Sequence, residues 1–302
     1  MPSVPRPILT ATLLLVTGLL AGGVQAQIDL TRIGGAGDRD DVTVEQLVQT
    51  RVVTPTRRLE PGGTFEIAVI FKIARGWHIY WQHPGDAGAA TAVTVRTPAG
   101  FTVGATRFPR PQTFQEPDGT TYGYEREVAL FVPVTTPATF DPATPVTFRT
   151  EVFFLVCRER CLMGTYHASV TLPTPHPISS ADHQVLDRFA ARVPRSLPAL
   201  RGTAARLVDV GEDGARLVLT IPAAGAEAVE ILPIPGPGVE PGAARVERRG
   251  DWFRVELPVE IRPHNAEGNE LRVRGVLGLG RDPEGVSYAF SVPVPTADRR
   301  EP

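Results

Sequence analysis

Two cysteines, Cys157 and Cys161, close the run Val152-Phe153-Phe154-Leu155-Val156-Cys157-Arg158-Glu159-Arg160-Cys161, a C-x3-C pattern, and the chain has no others. Residues four apart on a continuous strand lie about 13 Å apart at roughly 3.3 Å each. A disulfide needs Cα atoms about 4.4–6.8 Å apart. The pair can therefore bridge only where Arg158–Arg160 reverses the chain, as a three-residue hairpin loop would. A helical turn would also bring the thiols together, but the apolar run before Cys157 favours a strand. Three chemistries fit. A structural staple would close a loop of about five residues and contribute roughly 2 kcal/mol. A chain of 302 residues has length enough for proper cores and hardly needs it. In redox exchange, Arg158 and Arg160 would stabilise a thiolate, with Glu159 partly opposing them. A short bridge at a hairpin tip is also open to attack by another protein's thiolate. The third chemistry is metal binding, since Cys157, Cys161, Met163 and His167 make a soft donor set suited to Cu(I). Cys161, Met163 and His167 share one face of a regular strand. The spacing is not the C-x-x-C of thioredoxin-type motifs, so it does not select among the three.

The elements that must position these residues read as β-structure. Phe65–Ile73 mixes alternation with β-branched residues, and similar runs recur at Thr91–Arg96, Phe101–Phe108, Arg126–Val134, Val146–Val156 and Tyr166–Leu172. Turn signals separate them at Pro84-Gly85-Asp86, Pro98-Ala99-Gly100 and Pro117-Asp118-Gly119. Short strands at this density predict a β-sandwich. Before them, Val42–Val48 forms a short amphipathic stretch leading to the first strand. Ser180–Val193 changes period: Val185, Leu186, Phe189 and Val193 fall on one helical face, Ser180 or Asp182 can cap it, and Pro194 ends it. Strands resume at Ala205–Val210, Ala215–Ile221, Ala243–Arg248, Trp252–Val259, Glu270–Leu279 and Val286–Val294, with hairpin turns at Glu212-Asp213-Gly214 and Arg249-Gly250-Asp251. Pro-Gly clusters fill Pro233–Gly242. The expected fold class is all-β: an immunoglobulin-like sandwich at 27–178, a helical linker at 179–200, and a second, smaller β-domain at 201–302.

The N-terminus carries one charge, Arg6, ahead of the apolar run Ile8–Leu20 and the small-x-small site Val24-Gln25-Ala26. That predicts a secretory signal over residues 1–26, cleaved near Ala26. No later stretch has the roughly 20 apolar residues of a membrane span, so none is expected after cleavage. An exported chain places its cysteines where disulfides persist. Hydrophobic residues at 42% and charged residues at 21% exclude wholesale disorder. A net charge of −2, with Lys72 the single lysine and no basic run, disfavours nucleic acid as a partner.

Four ordered blocks carry a resemblance. Gly76-Trp77-His78-Ile79-Tyr80-Trp81-Gln82-His83-Pro84-Gly85-Asp86-Ala87-Gly88 resembles the G-W-H-x-Y-W-x-N-P-G-D-x-G block of DsbD N-terminal-type domains. Pro98-Ala99-Gly100-Phe101, Tyr122-Gly123-Tyr124-Glu125 and Leu155-Val156-Cys157-Arg158-Glu159-Arg160-Cys161 follow in the family's order. This family includes thiol:disulfide interchange proteins and suppressor of copper sensitivity proteins. The resemblance implies an immunoglobulin-like periplasmic domain, linked in some members to cytochrome c biogenesis or copper tolerance. Cys157 and Cys161 would be the exchange pair, and no cofactor beyond that disulfide is implied. Electrons would come from a membrane-embedded donor protein, expected to be a separate polypeptide, and would pass to oxidised periplasmic proteins. That would make the chain a component of a protein-disulfide reductase; the resemblance leaves open which thiol attacks, and the small loop with its flanking arginines leans to Cys161. Two departures touch the pattern: His83 replaces the usual asparagine, and Leu162-Met163-Gly164 replaces Ile-Pro-Glu. Trp81, Tyr122 and Tyr124 are candidates for a cap over the disulfide, set against a plainer role in the core. Copper handling through Cys157, Cys161, Met163 and His167 is the alternative, as is an exported adaptor with a structural disulfide. His78 and His83 match no common zinc spacing. Hydrolase, nucleotide and zinc-protease motifs are missing from the sequence.

Overall fold

The computed structural model describes residues 42–117, 119–174, 177–211, 214–262 and 270–295. The predicted signal segment and the stretch following it to residue 41 lie outside the described residues, as does most of the turn expected at Glu212-Asp213-Gly214.

A one-turn helix, α1 (Val44–Leu47), leads into β1 (Val48–Val53) and β2 (Thr64–Ile73). Then come β3 (His78–Gly85), β4 (Ala92–Arg96), β5 (Thr102–Val103), β6 (Gln112–Glu116), β7 (Gly119–Glu125), β8 (Glu127–Thr135), β9 (Val146–Cys157) and β10 (Cys161–Leu172). One sheet has the order β1-β2-β8-β5. The other has the order β10-β9-β3-β7-β6, with β4 also on β9. Their inner faces meet through edge-on rings: Phe71 on Phe154 at 5.6 Å and Phe65 on Phe148 at 5.2 Å. This is an immunoglobulin-like β-sandwich. Ile67 to Phe71 of β2 are buried without a break because both faces of that strand are covered.

Helix α2 (Ser180–Ala190) begins at Ser179, whose hydroxyl accepts from the Asp182 backbone N–H. Its apolar stripe, Leu186 and Phe189, packs into the same cluster as Val128 and Leu130 of β8. The segment expected to be a linker is therefore a packed layer of the first sandwich.

The second region holds β11 (Arg195–Ser196), β12 (Ala204–Val208), β13 (Gly214–Pro222), β14 (Val229–Ile234) and β15 (Val239–Pro241). It continues with β16 (Arg245–Arg249), β17 (Trp252–Ile261), β18 (Arg272–Leu279) and β19 (Ser287–Pro293). Its sheets run β11-β19-β18-β14 and β12-β13-β17-β15, with β16 also on β17. In β17, Phe253, Val255, Leu257, Val259 and Ile261 alternate inward, toward Val273, Leu277 and Phe290.

The two β-regions are joined rather than strung together. Leu232 of β14 and Val276 of β18 belong to the hydrophobic cluster of Trp81, Tyr124 and Phe189. Arg110, wholly buried, crosses the junction: Nη2 donates to Glu230 Oε2 at 2.5 Å and Gly280 O at 2.7 Å, and Nη1 donates to Asp282 O at 2.9 Å. Gly278 makes room, because a Cβ there would collide with the guanidinium.

Several elements differ from expectation. Phe101–Phe108 is a strand only at Thr102–Val103, plus a bridge from Arg107 to Phe131. β3 runs on through Pro84-Gly85, read above as a turn, by means of a register shift after Tyr80. β14 and β15 occupy the Pro-Gly region, at edges where a missing N–H is tolerated. Helix α2 stops at Ala190, three residues short of the predicted end, and its cap is Ser179 rather than Ser180 or Asp182.

Candidate functional site

Along β9 the even-numbered residues Val146, Phe148, Thr150, Val152, Phe154 and Val156 point into the sandwich. The odd-numbered row faces outward, and Cys157 ends that row. Arg158-Glu159-Arg160 then reverses the chain, with the Arg158 N–H donating to Arg160 O at 3.1 Å, and Cys161 starts β10 directly opposite Cys157. The two are joined as a disulfide with Cα atoms 4.2 Å apart. Gly164 faces Phe154 across the hairpin, where a Cβ would strike the ring, so the strands stay paired close to the bridge.

The two sulfurs are not equivalent. Cys157 is 2% exposed although it lies on the outer row, while Cys161 is exposed. The neighbour of Cys157 on its other side is β3, where His78 is its cross-strand partner. Directly opposed residues of an antiparallel pair present their side chains on the same face. His78 is buried, its ring stacked on Phe114 at 4.8 Å and set edge-on to Tyr80 at 5.0 Å. Its Nε2 has no hydrogen-bond partner, and Glu116 Oε1 is 3.5 Å away. Glu125 of β7 is the residue opposite His78 on the far side. Burial holds the imidazole below the ordinary histidine value, against the opposing pull of Glu116 and Glu125. Burial, with help from Glu116, likewise raises the Tyr80 phenol. A buried sulfur beside a buried imidazole, bridged to an exposed sulfur, can support thiol–disulfide exchange at the exposed atom.

The other residues singled out from sequence divide into those near the bridge and those away from it. Arg158 is exposed, with its Nη2 3.8 Å from Glu159 Oε1, so the acidic neighbour offsets it within the loop itself. Arg160 closes the loop through its carbonyl. Trp81, Tyr122 and Tyr124 do not cap the disulfide. They lie on the opposite face of the sheet: Trp81 and Tyr124 are buried in the core, Tyr124 Oη donates to Pro109 O at 2.7 Å, and Tyr122 sits edge-on to Trp81 at 6.2 Å. The strand parity decides this, since Ile79 and Tyr124 are partners on the inner face while His78 and Tyr80 point outward. Met163 is exposed on the outer row of β10. His167 is on the same row but six residues along an unbroken strand, about 20 Å from Cys161. The Cu(I) ligand set drawn from sequence therefore does not assemble. Among the described residues no group of three or more His, Cys, Asp or Glu is placed to hold a metal.

His78, Phe114 and Glu116 carry no motif that marks them in the sequence beyond the zinc spacing that His78 and His83 do not fit. The signal of His78 is positional, since it opens a strand on which Tyr80 shares its face and Trp81 takes the other.

The family model for the N-terminal part of the thiol:disulfide interchange protein DsbD matches residues 44–180. No curated protein matches the chain by sequence. Among solved structures, the N-terminal periplasmic domain of ScsB from Proteus mirabilis is similar with a TM-score of 0.57 at 19% identity, over 82% of this chain and 93% of that one. The yeast GGA1 GAE domain aligns with a TM-score of 0.23 at 9% identity, over 42% of this chain and 90% of its own, too little to bear on the fold. The likeness to the ScsB domain is one of fold, and its coverage takes in both β-regions. The matched stretch, residues 44–180, is the part of the chain that carries the sandwich and the cysteine hairpin, and there the chain is similar to the DsbD N-terminal domain.

Proposed function

We propose that this chain is an exported thiol–disulfide exchange protein of the periplasm. In this reading it takes reducing equivalents from a membrane-embedded donor and delivers them to oxidised periplasmic proteins through Cys157 and Cys161. The observation that carries the reading is the asymmetry of the bridge, one sulfur exposed at a hairpin tip and its partner buried behind it. A donor thiolate attacks the exposed Cys161 Sγ and releases Cys157. In the other half-reaction, the Cys161 thiolate attacks a client disulfide, and Cys157 resolves the mixed disulfide. The match of residues 44–180 to the DsbD N-terminal model supports the chemistry, and the outward position of the bridge supports access by a macromolecular partner.

The test is the reduction potential of the pair in the purified protein, equilibrated against glutathione buffers. A value between about −120 and −270 mV is expected, the range of exchange proteins. A potential below about −300 mV would mark a resistant structural bond and overturn the proposal.

A further inference from the structure

We propose that His78 is the proton acceptor for Cys157 in the step that releases the client. The inference rests on the exchange reading above and assigns a role to a residue which that reading leaves unused.

Resolution requires Cys157 as a thiolate, yet Cys157 is buried, and apolar burial favours the thiol. In the loop, Arg158 is exposed and lies 3.8 Å from Glu159, which offsets its charge. The residue opposite Cys157 is His78, and directly opposed side chains have Cβ atoms about 4.5–5.5 Å apart. The imidazole is clamped by Phe114 and Tyr80, and its buried Nε2 makes no hydrogen bond but lies 3.5 Å from the Glu116 carboxylate, which can steady a proton on the ring. The groups facing the ring from neighbouring elements are Glu116 of β6, Glu125 of β7 and Cys157 of β9, with Tyr80 from its own strand. A proton arriving on the ring would thus sit beside two carboxylates, while the neutral ring suits a buried site.

The step balances. The Cys157 Sγ–H proton passes to the imidazole, and the sulfur's electron pair forms the Cys157–Cys161 bond. The bond between Cys161 and the client sulfur breaks, and the client leaves as a thiolate that recovers a proton from the imidazolium or water. The protein is oxidised by two electrons and the client is reduced by two.

The probe is a glutathione mixed disulfide on Cys161, with its resolution followed by release of glutathione. The wild-type rate is expected to rise with pH through a midpoint below 6.5, the ordinary histidine value. His78→Gln should slow resolution about 10- to 100-fold, at the low end of general-base effects, and abolish that midpoint. Glu116→Gln keeps the ring and its stack, and should move the midpoint to lower pH because the imidazolium loses a carboxylate. In Cys161→Ser protein, where Cys157 is the single thiol, thiolate absorbance should appear at higher pH once His78→Gln is added. Unchanged rates, midpoints and thiolate titrations would overturn the assignment while leaving exchange intact. A wild-type bridge that glutathione does not open would overturn the exchange reading instead, and the single-thiol titration would still decide whether His78 and Cys157 share a proton.

Discussion

Arg110 and His78 are both buried nitrogen-rich side chains of the first sandwich, and the protein treats them in opposite ways. Both terminal nitrogens of Arg110 are committed, to Glu230, Gly280 O and Asp282 O, and Gly278 is shaped around the group. The Nε2 of His78 makes no hydrogen bond and lies 3.5 Å from the Glu116 carboxylate, on a residue that pairs with Cys157 across β3 and β9. A buried ion whose terminal nitrogens are bonded across a junction fixes one part of a molecule against another, even with its Nε unbonded as in Arg110. A buried base with an atom to spare is free to do chemistry. Neither burial nor one unbonded nitrogen separates structure from function, since Arg110 and His78 share both; what differs is that the terminal nitrogens of Arg110 bridge two regions, while His78 pairs with Cys157.

The largest effect that would break this contrast lies at the cysteines. Cys157→Ser should lose turnover completely but accumulate a mixed disulfide on Cys161 with a model disulfide, as read by mass spectrometry. Cys161→Ser should form adducts slowly, because its remaining sulfur is buried. Faster adduct formation on Cys157 than on Cys161 would reverse the assignment of the exposed sulfur as the attacker.

Next in size is the junction. Arg110→Ala leaves Glu230 beside buried surface without its partner, and breaking such a pair costs about 3–5 kcal/mol. Denaturant unfolding should show that loss, and Glu230→Gln in the same chain should recover part of it. Exchange per folded molecule should stay at the wild-type level. A fall in exchange as large as that in stability would mean that the junction positions the redox hairpin, and the contrast with His78 would dissolve.

Much of the architecture was legible in the sequence because its strands alternate cleanly. Val152, Phe154 and Val156 announce β9, and the Cα limit on a bridge requires the reversal at Arg158–Arg160. The resemblance pointed to the cysteine pair. What stayed hidden depends on long-range pairing. Nothing local says that His78 lies opposite Cys157, since the two are brought together by sheet order. The same holds for Arg110, which sits between Pro109 and Pro111 in a stretch with no periodicity and meets its partners far along the chain. The aromatic cap failed for a related reason. Trp81 and His78 are three residues apart on one strand and so face opposite sides.

A smaller effect sharpens the picture of His78 as a buried neutral base. Its folded-state value lies below 6.5, so between the two values the unfolded chain binds more protons than the folded one. Stability then rises with pH in that window and is lost as pH falls from 6.5 through the folded value. His83, depressed first by burial and opposed by Glu240 and Asp86, acts in the same direction. Glu45 and Glu256, held below 4.5, add losses only at lower pH. The urea midpoint should therefore be lower at about pH 5 than at about pH 7, and His78→Gln should shrink the difference. A midpoint that is flat or rises on acidification would show that the ring is already protonated in the folded protein.

The smallest expected effect is at the outward row of β10. Met163 is 68% exposed, and His167 is about 20 Å from Cys161 along the strand. Replacing either with alanine should change stability by no more than about 0.5 kcal/mol, the usual range for surface sites. Titrating the reduced protein with Cu(I) is the more searching measurement, because it asks whether the hairpin keeps its shape once the bridge is open. If β10 stays paired with β9 through all of its register, His167→Ala gives a curve superimposable on the wild type. A weaker curve would mean that reduction lets β10 leave the sheet and bring the imidazole to the thiols. The exposed sulfur would then belong to a hairpin that rearranges with its redox state, and His78, held between β9 and β7, would be the fixed side of the site.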